Sequence, residues 1–187
     1  MSVESYIANN SFKFGTVDMW DTWQLRILKV DDVLKPRLRE RKKQIPQRHG
    51  KYDYGAKYYD ERTLTLRCVR LTDISRSDQH QLAYTLYGKD EIRLYDDPDK
   101  YYVGRIYKEP VLTQVRNGGL QITLEFTCEP FRYGLTKTES FTSADGALSF
   151  TPNYHGTAPT PTYIVITNTG SANATNIQIV QTNQKEK

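Results

Sequence analysis

The stretch LQITLEFTCEPF, residues 120–131, reads with period two. Ile122, Leu124, Phe126 and Cys128 fall on one face of an extended chain and Thr123, Glu125 and Thr127 on the other, the pattern of a strand buried on one side. The run before it, PVLTQV at 110–115, is also rich in β-formers. Asn117, Gly118 and Gly119 between them supply turn chemistry, so the two runs read as a hairpin.

The same period recurs upstream. After GKYDYGAKYYD (50–60), a Tyr- and Gly-rich stretch that reads as a loop, comes RTLTLRCVRL (62–71), whose Leu64, Leu66 and Cys68 share a face with Arg70. EIRLYDDPDKYYVGRIY (91–107) reads as a second hairpin broken at Asp97-Pro98-Asp99. FKFG (12–15) and WQLRILKV (23–30) are further strand candidates, with Trp23, Leu25 and Ile27 expected inward. The convincing helix is SRSDQHQLAYTLYG (75–88): Ser75 or Ser77 can cap it, Asp78 sits in its first turn, and Gly88 ends it. Leu82, Tyr84, Leu86, Ala83 and Tyr87 include its i, i+4 pairs.

At 187 residues and 21.7 kDa the chain can bury one full core, with about forty residues over for a linker or part of a second domain. A hydrophobic fraction of 37% and a mean hydropathy of −0.69 are low, but 14 Tyr, 6 Phe and 2 Trp supply large amphipathic area, so the chain reads as folded with much polar surface. No long apolar run is present, and MSVESYIANN has neither a basic nor an apolar leader segment, so a soluble protein without membrane contact is expected. Cys68 and Cys128 lack CxxC spacing and both fall on inward faces, which predicts two core thiols made in a reducing cytoplasm.

Composition shifts near residue 134. The Thr-, Ser-, Gly- and Pro-rich segment 135–161 reads as a linker after a domain spanning 1–134. Residues 162–187 hold two alternating strands around a Thr-Gly-Ser turn, and a lone hairpin is not stable in water. That tail is expected to extend the first domain, to pair with another chain, or to begin a second domain.

Signals for catalysis are absent. His49, His80 and His155 are scattered without metal-ligand spacing, and no phosphate-cradling glycine loop or nucleophile elbow occurs. The acids of YDDPD (95–99) suit a tight turn better than a calcium loop, which needs more oxygen ligands at fixed spacing. The expectation is a non-enzyme with no cofactor and no metal.

The unusual feature is KPRLRERKKQIPQRHGK, residues 35–51, with eight of the chain's 26 Lys and Arg against one acid. The chain's net charge of +4 is therefore local to this segment. A nucleic-acid site would interleave aromatics with the cations, yet none lies between residues 24 and 51, and Pro36 and Pro46 suit a recognition helix badly. An extended charged hairpin or loop over Val33 to Ile45, docked on a partner as an arm, fits the charges, as does a solvated surface loop. Two further readings remain: DNA binding by 35–51, and a carbohydrate-binding module stacking sugars on tyrosines 52, 54, 58, 59, 101 and 102.

The order of these pieces resembles the N-terminal domain of the distal tail proteins of phages with long, non-contractile tails. The resemblance rests on IPQRHGKYDYG (45–55) with its Ile-Pro-x-Arg-x-Gly element, the Leu94-Tyr95-Asp96-Asp97-Pro98 turn leading to a Tyr-rich strand, and a strand ending at Cys128-Glu129-Pro130. It spans residues 10–134. It implies a mainly β fold: a β-sandwich with one short α-helix and a long hairpin or arm, followed by a linker and an incomplete second β domain of galectin or carbohydrate-binding type.

The functional expectation is a structural protein whose homohexameric ring joins the tail tube to the tail tip or baseplate. Implied partners are the tail tube protein, a tail-tip or tail-associated lysin or fibre protein, receptor-binding proteins, and DNA passing without sequence-specific contact. The implied location is the virion tail tip, assembled in the bacterial host cytoplasm. The candidate inter-subunit arm comprises Arg37, Arg39, Arg41, Lys42, Lys43, Ile45, Pro46, Arg48 and Gly50; the turn motif comprises Asp96, Asp97, Pro98 and Tyr101.

Overall fold

The expected strand at 120–131 is the spine of the domain. In the computed structural model, which describes residues 4–47, 49–55, 58–115, 119–140, 142, 156, 163–168 and 170, it forms β10 (Gly119–Cys128). Along its whole length β10 pairs antiparallel with β6 (Arg62–Arg70), from Leu120 opposite Arg70 to Cys128 opposite Arg62. Its inward residues Leu120, Ile122, Leu124, Phe126 and Cys128 are all buried, as are Leu64, Leu66 and Cys68 across from them.

The remaining strands are β1 (Phe12–Phe14), β2 (Val17–Asp18), β3 (Arg26–Asp31), β4 (Lys42–Gln44), β5 (Lys51–Asp53), β7 (Asp90–Leu94), β8 (Lys100–Ile106), β9 (Val111–Val115) and β11 (Tyr133–Gly134). The main sheet runs β2-β1-β7-β8-β10-β6-β3, with β9 beside β10 and β11 beside β8; β4 and β5 form a separate hairpin. Both expected hairpins are present, β7 with β8 and β9 with β10. Asn117 and Gly118, expected to turn the second, lie outside the described residues.

This sheet is rolled. Strand β1 is three places from β10, about 14 Å away in a flat sheet, yet the Phe126 ring lies 6.2 Å from Phe12 and 5.8 Å from Phe14, centroid to centroid. The far edges also meet: Ile27 N–H donates to the Asn10 carbonyl at 2.7 Å, Leu25 N–H to Met19 at 3.1 Å, and the buried Ser11 hydroxyl to the Leu25 carbonyl at 2.5 Å. The fold is mainly β as expected, and its two packed faces belong to one continuous sheet curled around a single core.

Among the described residues three helices accompany it: α1 (Ser5–Ala8), α2 (Met19–Trp23) and α3 (Arg76–Thr85). The expected helix is α3, with Ser75 Oγ accepting from Asp78 N–H at 3.1 Å, and its Leu82 together with the following Leu86 enters the core. Tyr84 and Tyr87 stay exposed, since only one side of so polar a helix meets the sheet.

The reading of 23–30 as one strand needs correcting. Asp18 caps α2 by accepting from the Trp20 and Asp21 amides, so Trp23 ends a helix, and Gln24 turns the chain with φ +52° before β3 begins. A bulge between Ile27 and Lys29 then leaves Leu28 exposed. The two cysteines are buried free thiols, each pushed up to about 12 by burial in the core.

The chain divides into two compact units, Met1–Lys137 and Thr138–Lys187. Most of the expected linker and tail lies outside the described residues. Residues 163–168 form no strand among the described residues, and Tyr163, Ile164, Val165 and Ile166 are exposed.

Phe126 is where β10 and β1 close the roll, so Phe126→Ala is expected to cost about 3–5 kcal/mol. Urea denaturation measures this, and a loss under about 1 kcal/mol would contradict the closure described.

Candidate functional site

Between β3 and β6 the chain leaves the rolled sheet and returns as a hairpin arm. Of the segment GKYDYGAKYYD (50–60), expected as a loop, the described residues return along the arm, Lys51–Asp53 as β5. Leu38 bridges Tyr59, with Arg39 N–H donating to the Tyr58 carbonyl and Asp60 N–H to the Arg37 carbonyl, both at 2.8 Å. Further out Lys42, Lys43 and Gln44 face Asp53, Tyr52 and Lys51, and Tyr54 N–H donates to Arg41 at 2.9 Å. Gln47 and Gly50 turn the tip with φ +65° and +80°, a conformation glycine adopts without strain.

Both roots of the arm are held by one carboxylate. Asp32 closes the outgoing side and Arg62 opens the returning side; Arg62 is 6% exposed and donates from Nη2 to Asp32 Oδ1 at 2.6 Å. The same Nη2 donates to the Val33 carbonyl, and Nη1 to the Pro130 carbonyl at 3.5 Å. Asp32 Oδ2 accepts from the Tyr102 hydroxyl at 2.7 Å and from Arg132 Nη2 at 2.9 Å. Arg132 Nη1 reaches Asp97 Oδ2 at 3.2 Å. The Tyr102 ring takes both guanidinium groups, with Arg62 at 5.3 Å and Arg132 at 5.0 Å from its centroid.

Magnitudes rank these contacts. Removing one partner of a buried ion pair costs about 3–5 kcal/mol, because it strands the other charge. The exposed Arg39–Asp60 pair, at 2.8 Å, belongs to a class worth about 0.2–1 kcal/mol. The arm is therefore fixed at its base. Burial alone would raise the Asp32 carboxyl, but the Tyr102 hydroxyl and the Arg62 guanidinium outweigh it and hold the group below its ordinary value. Burial and the Asp32 hydrogen bond push the Tyr102 hydroxyl up.

The expected arm residues Arg37, Arg39, Arg41, Lys42, Lys43, Ile45, Pro46 and Gly50 all lie on this hairpin, and Arg48 falls outside the described residues. Of the turn motif, Asp97 joins the clamp through Arg132, Asp96 is exposed, and Pro98 lies in the β7–β8 turn. Tyr101 stacks on Tyr133 at 5.8 Å and beneath Arg93 at 5.4 Å. Asp32, Arg62 and Arg132 were not singled out from the sequence, and Tyr102 was named only as a candidate sugar-stacking ring. Arg62 carried a signal nonetheless: it is in phase with Leu64, Leu66 and Cys68, and a charge on an inward face calls for a buried partner.

Among the described residues no group of three or more His, Cys, Asp or Glu is placed to hold a metal ion. No helix among the described residues is long and apolar enough to cross a membrane.

Residues 25–128 match the family described as phage tail protein RIFT-related domain, and the chain belongs to that family. Among solved structures it is similar to the Dit protein of phage SPP1, described as a paradigm of the hub adsorption apparatus in phages infecting Gram-positive bacteria. That match has a TM-score of 0.52 and 21% identity over 66% of this chain and 51% of the other. The chain thus spans about half the length of the SPP1 protein. No curated protein matches it. The family and the fold uphold the resemblance to siphophage distal tail proteins read from the sequence.

Asp32→Ala is expected to destabilise the domain by about 3–5 kcal/mol, since Arg62 stays buried without its counter-charge. The folded-state carboxyl lies below the unfolded one, so its contribution is complete above the ordinary aspartate range and is lost as pH falls through the folded value. Denaturant midpoints across acid pH should show this component in the native chain and not in the variant.

Proposed function

We propose that this protein is a non-enzymatic building block of a siphophage tail tip, forming a hexameric ring that joins the tail tube to the tail-tip or baseplate apparatus of host adsorption. The observation that carries the reading is the base-clamped cationic arm on a tail-family domain. A closed ring whose subunits meet head to tail needs two different complementary patches on each chain, and an arm held in a fixed direction provides one of them. In this reading Arg37, Arg39, Arg41, Lys42, Lys43, Ile45, Pro46, Arg48 and Gly50 form an inter-subunit element. Asp97 and its turn help to hold the arm's base.

Residues 1–134 are then the ring-forming domain, 135–161 a linker, and 162–187 the first strands of a second β domain. Partners are further copies of the chain, the tail tube protein, tail-tip or lysin proteins and receptor-binding proteins. The likeness to a hub adsorption protein supports this placement at the virion tail tip. A sugar-stacking module is less well supported, because Tyr101 and Tyr102 are covered by arginines and Tyr59 packs edge-on against Phe131 at 5.3 Å.

Light scattering over a concentration series, with negative-stain imaging, tests the ring. A discrete six-copy mass with annular particles is expected, either alone or on addition of tail tube protein. A monomer under both conditions would overturn the reading.

A further inference from the structure

We propose that one face of the hairpin arm binds a single nucleic-acid strand without regard to sequence. The argument begins with alternation. In an extended strand successive side chains point to opposite faces, and directly opposed residues of an antiparallel pair share a face. Arg37, Arg39, Arg41 and Lys43 occupy alternate positions, so they form one row about 6.6 Å apart.

The return strand adds aromatics to this row. Tyr52 is opposite Lys43, Tyr54 is hydrogen-bonded through its backbone to Arg41, and Tyr58 is likewise bonded to Arg39. Side-chain contacts confirm a common face: Arg41 lies 5.4 Å from the Tyr58 ring centroid, and the Tyr52 and Tyr54 rings are 4.8 Å apart. Three rungs, Lys43–Tyr52, Arg41–Tyr54 and Arg39–Tyr58, each therefore pair one cation with one tyrosine.

One acid shares this face: Asp60, opposite Arg37, holds Arg39 Nε at 2.8 Å near the root, and the outer acids fall on the other side. Glu40 is in phase with Lys42, its ion-pair partner at 3.6 Å, and Asp53 is opposite that lysine. Near the root this second face is turned to the body, where Tyr59 packs on Phe131. The cationic row looks away from the body. Tyr54 and Tyr58 are 62% and 56% exposed.

A row of cations along a tyrosine-bearing face suits a chain of phosphates whose bases can lie on aromatic rings. The absence of aromatics between residues 24 and 51 counts against such a site in the linear sequence. The hairpin removes that objection by bringing the tyrosines across the ladder. An acidic protein surface would satisfy the cations but make no use of three tyrosines held among them. The proposal concerns the chain in solution and does not depend on ring formation.

Fluorescence anisotropy with a labelled single-stranded DNA oligonucleotide of mixed sequence tests it on the full chain. If Arg37, Arg41 and Lys43 engage phosphates, Arg39 being held by Asp60, affinity should fall roughly twentyfold as salt rises from about 50 to about 200 mM. Arg41→Ala and Lys43→Ala should each lower the slope of log affinity against log salt by about 0.7. Tyr54→Ala and Tyr58→Ala should weaken binding about fivefold or more with the slope unchanged. Lys42→Ala, on the opposite face, should change neither appreciably. Thermal midpoints of these exposed variants should match the parent. No binding at about 50 mM salt, equal damage from Lys42→Ala and Lys43→Ala, silent tyrosine variants, or equal competition by poly-glutamate would each overturn the proposal.

Discussion

Everything distinctive about this domain turns on a single carboxylate. Asp32 accepts hydrogen bonds from Arg62, Tyr102 and Arg132, groups that come from the returning root of the arm, from β8 and from the chain just before β11. A charge taken this far out of water is tolerated only when its partners are complete, and two guanidinium groups and a phenol complete it. The roll of the sheet brings these segments together, and the clamp in turn fixes where the arm leaves the roll. Core and arm are thereby one mechanical unit, although the outer arm shares no apolar core with the body.

The sheet itself was largely legible in the amino-acid sequence. Period-two alternation placed β10 and β6, and the Asp97-Pro98 turn placed the β7–β8 hairpin, because burial on one face imposes its rhythm on any strand. The region around Trp23 was not, because a five-residue helix and a one-residue bulge are too short to outweigh apolar residues in apparent alternation. The rolling of the sheet is likewise a long-range fact: nothing in FKFG announces that Phe12 and Phe14 will meet Phe126.

The site was half legible. Charge density marked the arm from Lys35 to Lys51, but its return strand looked like a loop because tyrosine and glycine sit side by side there. The clamp was missed because its members lie as far apart as residues 32 and 132 and each has an ordinary local reading. Asp32 follows another aspartate, Arg132 sits in a polar stretch, and Tyr102 looks like one more strand tyrosine.

The sorting of the arm into two unlike faces makes its length matter more than its composition. One residue added between Arg37 and Lys42 would leave the charge unaltered and the hairpin still able to close, yet every side chain beyond the insertion would point the other way. Lys42 and Lys43 would exchange roles and Glu40 or Gln44 would enter the cationic row, according to where the residue was added. Such an arm can drift in sequence while its side-chain order survives, but it can lengthen or shorten only by pairs of residues.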